Sequence, residues 1–221
     1  MSFRACVFNI FFSLSSSGSG KSTWVMKCLD DPEYVFDTKF DVIIYVYAMY
    51  QPAFDKYRDR VRFFKGWDHD SLTIESLSKH SNLLVIADDV AGSHPDKTWE
   101  VSWMTRYSHH LPATYVLLVH SLYSKRIPFN RECSLNSTVT VLMLGKRTYS
   151  EIEIFARQLF KSNAGAFLDV YKKEVEGKGA YSYLVVDCDP RTYNFCKIKT
   201  QIFREESPTV IYVMRGDTVK L

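Results

Sequence analysis

Ser15-Ser16-Ser17-Gly18-Ser19-Gly20-Lys21-Ser22, followed by Thr23, stands between an apolar run, Ala5 to Leu14, and a helix-like segment that opens Trp24-Val25-Met26. Strand, small-residue loop, then Lys-Ser at a helix start is the layout of a phosphate-binding P-loop. A triphosphate tail is dense negative charge. Small residues let the backbone come close to it, and the N–H groups of the first helical turn point at it. Lys21 is placed to reach the β- and γ-phosphates, and the Ser22 hydroxyl to bind Mg²⁺. The expected nucleotide contacts are Ser17, Gly18, Ser19, Gly20, Lys21, Ser22 and Thr23, with ATP and Mg²⁺ as ligands.

One position departs from the GxxxxGK[ST] pattern, because Ser15 stands where the first glycine belongs. Its Cβ makes a positive φ there strained. The competing reading is a Ser/Gly-rich linker that happens to end in Lys-Ser. A flexible linker, however, neither follows an apolar run so abruptly nor leads straight into a helical pattern.

The 221 residues, 46% hydrophobic and 15% aromatic, suit a single domain over residues 1–221 with one good core, and exclude disorder. A formal charge of +3 is too small to assert nucleic-acid binding by itself, though it leaves room for a basic face. Five scattered cysteines (Cys6, Cys28, Cys133, Cys188, Cys196) form no CxxC and suit a reducing, intracellular compartment. No segment is long enough to cross a bilayer, so no membrane is expected. Arg4, the apolar run and the serines can also be scored as a signal peptide. Cleavage there would destroy the P-loop. Residues 1–14 are therefore read as a first strand, or as an atypical N-terminus.

Farther along, Asp41 to Tyr47 is β-branched, aromatic and nearly continuous in apolarity, the mark of a strand buried on both faces. Phe54 to Arg60 reads as a short charged helix, Val61 to Phe64 as a strand, and Leu72 to Leu77 as a helical turn or two. Leu83 to Ala87, Tyr115 to His120, Val139 to Leu144 and Tyr181 to Val186 read as strands, and Ile211 to Val213 as an edge strand. Val101 to His109 is read as a helix. Ile152, Phe155, Ala156, Leu159 and Phe160 fall at helical spacing within Tyr149 to Lys161, and Ala166 to Lys173 continues helical until Gly177 and Gly179. Strands alternating with helices argue for an α/β fold, a parallel sheet covered by helices.

The strand Leu83 to Ala87 runs into Asp88-Asp89, a Walker B element behind the P-loop. Asp88 is the expected Mg²⁺ ligand, and Asp89 the residue that orients or deprotonates the attacking water. A plain strand-to-loop junction also favours aspartates, but nucleotide hydrolysis needs both halves. His120 ends the strand placed beside this one, where a polar side chain can touch the γ-phosphate or the water; a strand-end histidine in solvent is an equal alternative. His109-His110 reads as a helix end satisfying carbonyls rather than a metal site. Arg126, Arg131, Lys146 and Arg147 are candidates for an arginine finger or a DNA phosphate contact, against a solvated basic surface.

GSGKST (Gly18 to Thr23), VYAMYQPAF (Val46 to Phe54), LLVIADDV (Leu83 to Val90), SHHLPATYVLLVHSLYSK (Ser108 to Lys125), RECSLNSTVTVLMLGKRTYSEIEIFARQLF (Arg131 to Phe160), GAYSYLVVDCDP (Gly179 to Pro190) and KTQIFREE (Lys199 to Glu206) follow in that order. The succession resembles the genome-packaging ATPases of Maverick/polinton elements, relatives of the poxvirus-type packaging ATPases within the FtsK/HerA class of ring-forming DNA pumps. The resemblance covers nearly the whole chain after the first dozen residues. It implies a RecA-like P-loop NTPase, mainly a parallel sheet with helices on both faces, acting as a homo-oligomeric ring. The implied activity is ATP-driven translocation of double-stranded DNA into a capsid, with a capsid or portal protein as partner, in a host nucleus or cytoplasm or with the virion. Carried over by position, Lys21 and Ser22 are the nucleotide and Mg²⁺ residues, Asp88 and Asp89 the Walker B pair, and Arg147 the arginine-finger candidate. Arg131 and Asn136 fall at the family's polar positions near the subunit boundary. The family usually has Gln-Asn where this chain has His120-Ser121, so the γ-phosphate sensor is altered. Two alternatives stay open: a catalytically impaired nucleotide-binding remnant, favoured by Ser15 and His120, and a small P-loop nucleotide kinase.

Overall fold

Runs such as Val42-Ile43-Ile44-Tyr45-Val46-Tyr47 and Leu83-Leu84-Val85-Ile86-Ala87 expose an apolar row on each side of an extended backbone, so they are stable only between two covering layers. A computed structural model describes residues 10–14, 18–36, 38–90, 93–94, 96, 98, 102, 113–123, 129–145, 149–193 and 196–214. In chain order its elements are β1 (Ile10–Leu14), α1 (Lys21–Asp30), α2 (Pro32–Val35), β2 (Val42–Tyr47), β3 (Arg62–Lys65), α3 (Ile74–Leu77), β4 (Leu83–Asp88), β5 (Ala113–Val119), α4 (Phe129–Asn136), β6 (Val139–Met143), α5 (Tyr149–Phe160), α6 (Ala164–Tyr171), β7 (Tyr183–Asp187), β8 (Ile198–Thr200) and β9 (Val210–Tyr212).

The strands form one sheet in the order β3-β2-β4-β5-β1-β6-β7-β8-β9. From β3 to β6 every pairing is parallel. β7, β8 and β9 then extend the sheet antiparallel. Alternation along each strand divides the core in two. Tyr115, Leu117 and Val119 of β5 face Ile152, Phe155 and Ala156 of α5 and Phe167 and Tyr171 of α6. Val116 and Leu118 face the opposite layer, where Trp24, Val25, Cys28 and Leu29 of α1 lie. Phe167, fully buried, stacks on Phe160 with centroids 4.5 Å apart. Burial of such a side chain contributes roughly 1.5–3 kcal/mol. Among the described residues no helix is long and apolar enough to cross a membrane.

Several expectations need correction. The short helix expected over Phe54 to Arg60 is a 3-10 helix and lies earlier, over Pro52–Tyr57. Phe54 and Tyr57, three apart, both reach the core, and a 3-10 turn puts residues at that spacing on one line. The strand expected from Tyr181 starts at Tyr183, because Tyr181 sits in a turn with φ +67°. α4 and β8 carry no strong sequence pattern and were not expected. The parallel arrangement holds on only one side of β6. Residues 1–9, including the first half of the apolar run, and nearly all of the expected helix from Val101 to His109, lie outside the described residues.

The register places the site. Leu14 pairs with Val119, Asp88 with Leu118, and Tyr47 with Asp88. The chain therefore leaves β1, β2, β4 and β5 at one edge of the sheet, the C-terminal edge where open α/β sheets bind ligands. β5 lies between β1 and β4. His120, the first residue after β5, thus falls between the loop after β1 and the aspartate after β4.

Candidate phosphate and metal site

The loop after β1 turns on two glycines with positive φ, Gly18 at +77° and Gly20 at +102°. Gly20 has a second constraint: a Cβ there would lie 2.6 Å from Cδ1 of Tyr181. α1 starts at once after Gly20, with no side-chain cap and no acidic residue in its first turn. Its leading N–H groups and positive dipole end are left to an anion. A second observation points the same way. The Ser19 side chain is 6% exposed, and its Oγ has no hydrogen-bond partner.

Lys21, the first residue of α1, is buried. Its Nζ lies 2.9 Å from Nδ1 of His120, and Nε2 of His120 lies 3.0 Å from Oδ1 of Asp89. A lysine ammonium only donates, so Nδ1 accepts and the Nε2 proton goes to Asp89. The result is a relay, Lys21 to His120 to Asp89, spanning the loop and two strand ends. Burial lowers the Lys21 pKa, opposed by the charges of Asp89 and Asp88. The hydrogen bond from His120, aided by the charge of Lys21, holds Asp89 below the ordinary carboxylate value, against burial. Asp89 has φ +55°, a left-handed conformation uncommon outside glycine, at the turn where its carboxylate meets the imidazole.

Asp88 is 4% exposed. Its Oδ2 accepts from Ser22 Oγ at 2.8 Å and from Tyr45 OH at 2.7 Å. Its Oδ1 is buried with no partner. Burial raises its pKa, opposed by those two hydrogen bonds. Gln51 Nε2 lies 3.5 Å from Ser22 Oγ. An orphaned carboxylate oxygen beside a hydroxyl fits a small divalent cation. Mg²⁺ takes one or two protein oxygens and completes its shell with water and phosphate, which is the donor set that Ser22 and Asp88 offer.

Gly18 to Thr23, Gln51, Asp89, His120 and Tyr181 line a cavity of about 250 Å³. The structure thus brings together Gly18, Ser19, Gly20, Lys21, Ser22, Thr23, Asp88, Asp89 and His120 of the residues singled out in the sequence. Ser15, Ser17, His109, His110, Arg126, Lys146 and Arg147 lie outside the described residues. Arg131 is exposed on α4, and Asn136 donates to the Glu132 carbonyl at 2.8 Å; neither lines the cavity. Sequence reasoning missed Tyr45, Gln51 and Tyr181. Tyr45 reads as one more strand aromatic. Gln51, before Pro52, reads as a strand terminator, and Tyr181 as the first residue of a strand.

No protein-family model matches the chain, and no curated protein matches it.

Proposed function

We propose that this protein is a RecA-like P-loop ATPase that hydrolyses ATP at the site around Lys21. The observation that carries the proposal is the convergence at one sheet edge of a glycine-turned loop, a buried lysine and two adjacent aspartates, one bonded to Ser22 and Tyr45 and the other to His120. The α1 N-terminus and Lys21 hold the phosphates. Lys21 exchanges its His120 partner for phosphate oxygen, a charge-assisted bond. Ser22 and Asp88 are the residues that would hold Mg²⁺, which when bound neutralises charge on the phosphates. Asp89, kept ionised by His120, accepts a hydrogen bond from the attacking water and orients it. His120, oriented by Asp89, has its Nδ1 turned to the lysine and so to the phosphate end of the site.

The finer reading is a homo-oligomeric ring that moves double-stranded DNA into a virus-type capsid through a capsid or portal partner. Its support is the resemblance of the ordered segments to Maverick/polinton packaging ATPases. Arg147 is the candidate finger from a neighbouring subunit, and the DNA grip would be sequence-blind and salt-sensitive. A second reading, a nucleotide-binding relative with impaired turnover, is favoured by His120 at the sensor position. A nucleotide kinase needs arginines over its acceptor, and among the described residues no arginine lines the cavity.

ATP hydrolysis by the purified protein, with and without linear double-stranded DNA and beside Lys21→Ala, tests the proposal. A DNA-stimulated rate abolished by Lys21→Ala is expected. Binding without turnover favours the impaired relative. Absence of binding overturns the P-loop reading.

A further inference from the structure

We infer that Tyr181 is the platform on which the nucleobase rests, which makes it the residue that favours a nucleotide over a bare polyphosphate at the phosphate site. The inference rests on the nucleotide reading above and adds to it the part of the ligand that the P-loop does not touch. The cavity, at about 250 Å³, is smaller than the roughly 300–1,000 Å³ that encloses a whole drug-sized ligand. Its lining is glycine, hydroxyl, amide and charge, chemistry for phosphates. The base and ribose must therefore lie at its rim.

Only two rings border the cavity among the described residues, His120 and Tyr181. His120 is engaged at both nitrogens, by Lys21 and Asp89. Tyr181 is 63% exposed, with its ring edge against Gly20 at the junction of loop and helix. An exposed ring in this place gains little from packing, yet its backbone is held at φ +67°, costly for a bulky residue. The surroundings hold it there. Its N–H donates to the Ser19 carbonyl at 3.3 Å, so the turn is clasped to the phosphate loop itself. The segment before it is anchored in turn. The Gly179 N–H donates to the Val175 carbonyl at 3.1 Å. Glu174, 3% exposed, accepts from Lys178 Nζ and Tyr212 OH, both at 2.5 Å. A strained, pinned and solvent-facing aromatic at the mouth of a phosphate site is suited to stacking on a base, since every base presents a π-face.

Isothermal titration of the full chain with ATP and with inorganic tripolyphosphate, both with Mg²⁺, tests this in wild type, Tyr181→Phe and Tyr181→Ala. Tyr181→Ala is expected to weaken ATP roughly ten-fold and leave tripolyphosphate unchanged. Tyr181→Phe, which keeps the ring, stays near wild type for both. Equal weakening of both ligands overturns the inference, because Tyr181 then shapes the loop rather than meeting the base. So does an ATP affinity indifferent to Tyr181→Ala, or wild type binding tripolyphosphate as tightly as ATP; in both cases the phosphate site stands. If wild type binds neither ligand, the nucleotide reading fails, and this inference with it.

Discussion

Replacing Tyr45 by phenylalanine removes one oxygen from the middle of the sheet. The ring remains packed between Phe54 and Phe63, with centroids 5.1 and 5.4 Å away, so the shape of the core is kept. What changes is Asp88. Its Oδ2 keeps only the 2.8 Å bond from Ser22, and its Oδ1 already has no partner. A hydrogen bond to a charged group contributes about 1.5–3 kcal/mol, and both Tyr45 and Asp88 are buried. Tyr45→Phe should therefore cost about 2 kcal/mol near neutral pH, or roughly 4–8 °C in Tm for a chain of this length. The pH dependence has a definite sign. Burial already holds the Asp88 carboxyl above its ordinary value, so folding favours its protonated form, and stability falls as pH rises through the folded pKa. Loss of the Tyr45 bond raises that pKa further. The deficit is then full above the variant's pKa and shrinks as pH falls toward the unfolded value. Urea unfolding near pH 7 and near pH 4, with Asp88→Asn and the double variant completing a cycle, reads this directly. A deficit below about 0.5 kcal/mol near pH 7, or one equally large in the Asp88→Asn background, would refute the assignment of Tyr45 as the support of an ionised Asp88.

His120→Gln should raise the Asp89 pKa, because the His120 hydrogen bond is the foremost cause of its depression. The stabilisation from a depressed carboxylate is present above the unfolded value and lost as pH falls through the folded one. Carbon-13 NMR of labelled aspartate should accordingly find Asp89 titrating at lower pH in wild type than in the variant, and the opposite order would sink the relay. Gly20→Ala should abolish ATP binding in a titration, since the new Cβ meets the Tyr181 ring at 2.6 Å on a backbone at φ +102°. Gly165→Ala, a helical position with open space around it, should instead stabilise the chain by about 0.5–1 kcal/mol in the same unfolding assay.

The loop from Gly18 to Ser22, the apolar runs of β2, β4, β5, β6 and β7, and the Asp88-Asp89 pair were legible because each is a local pattern. Period, apolar continuity and small-residue spacing are written within a few consecutive residues. β8, three residues long with one of them only half-buried, has no such pattern. Its identity as a strand comes from pairing with β7 and β9. The antiparallel direction of β7 was likewise invisible, since a strand buried on both faces reads the same whichever way its neighbour runs.

Composition and motif by themselves pointed to a helix-covered sheet with a glycine-turned loop between its first strand and first helix, because local backbone preference and burial act through near neighbours in sequence. Only the tertiary structure decided which distant side chains meet there. The sheet order places His120 between Lys21 and Asp89. The register brings Tyr45 up to Asp88, and a left-handed turn lays Tyr181 on Gly20. Those contacts join residues scores of positions apart, and such closeness is set by strand order and pairing, which no short stretch of sequence contains.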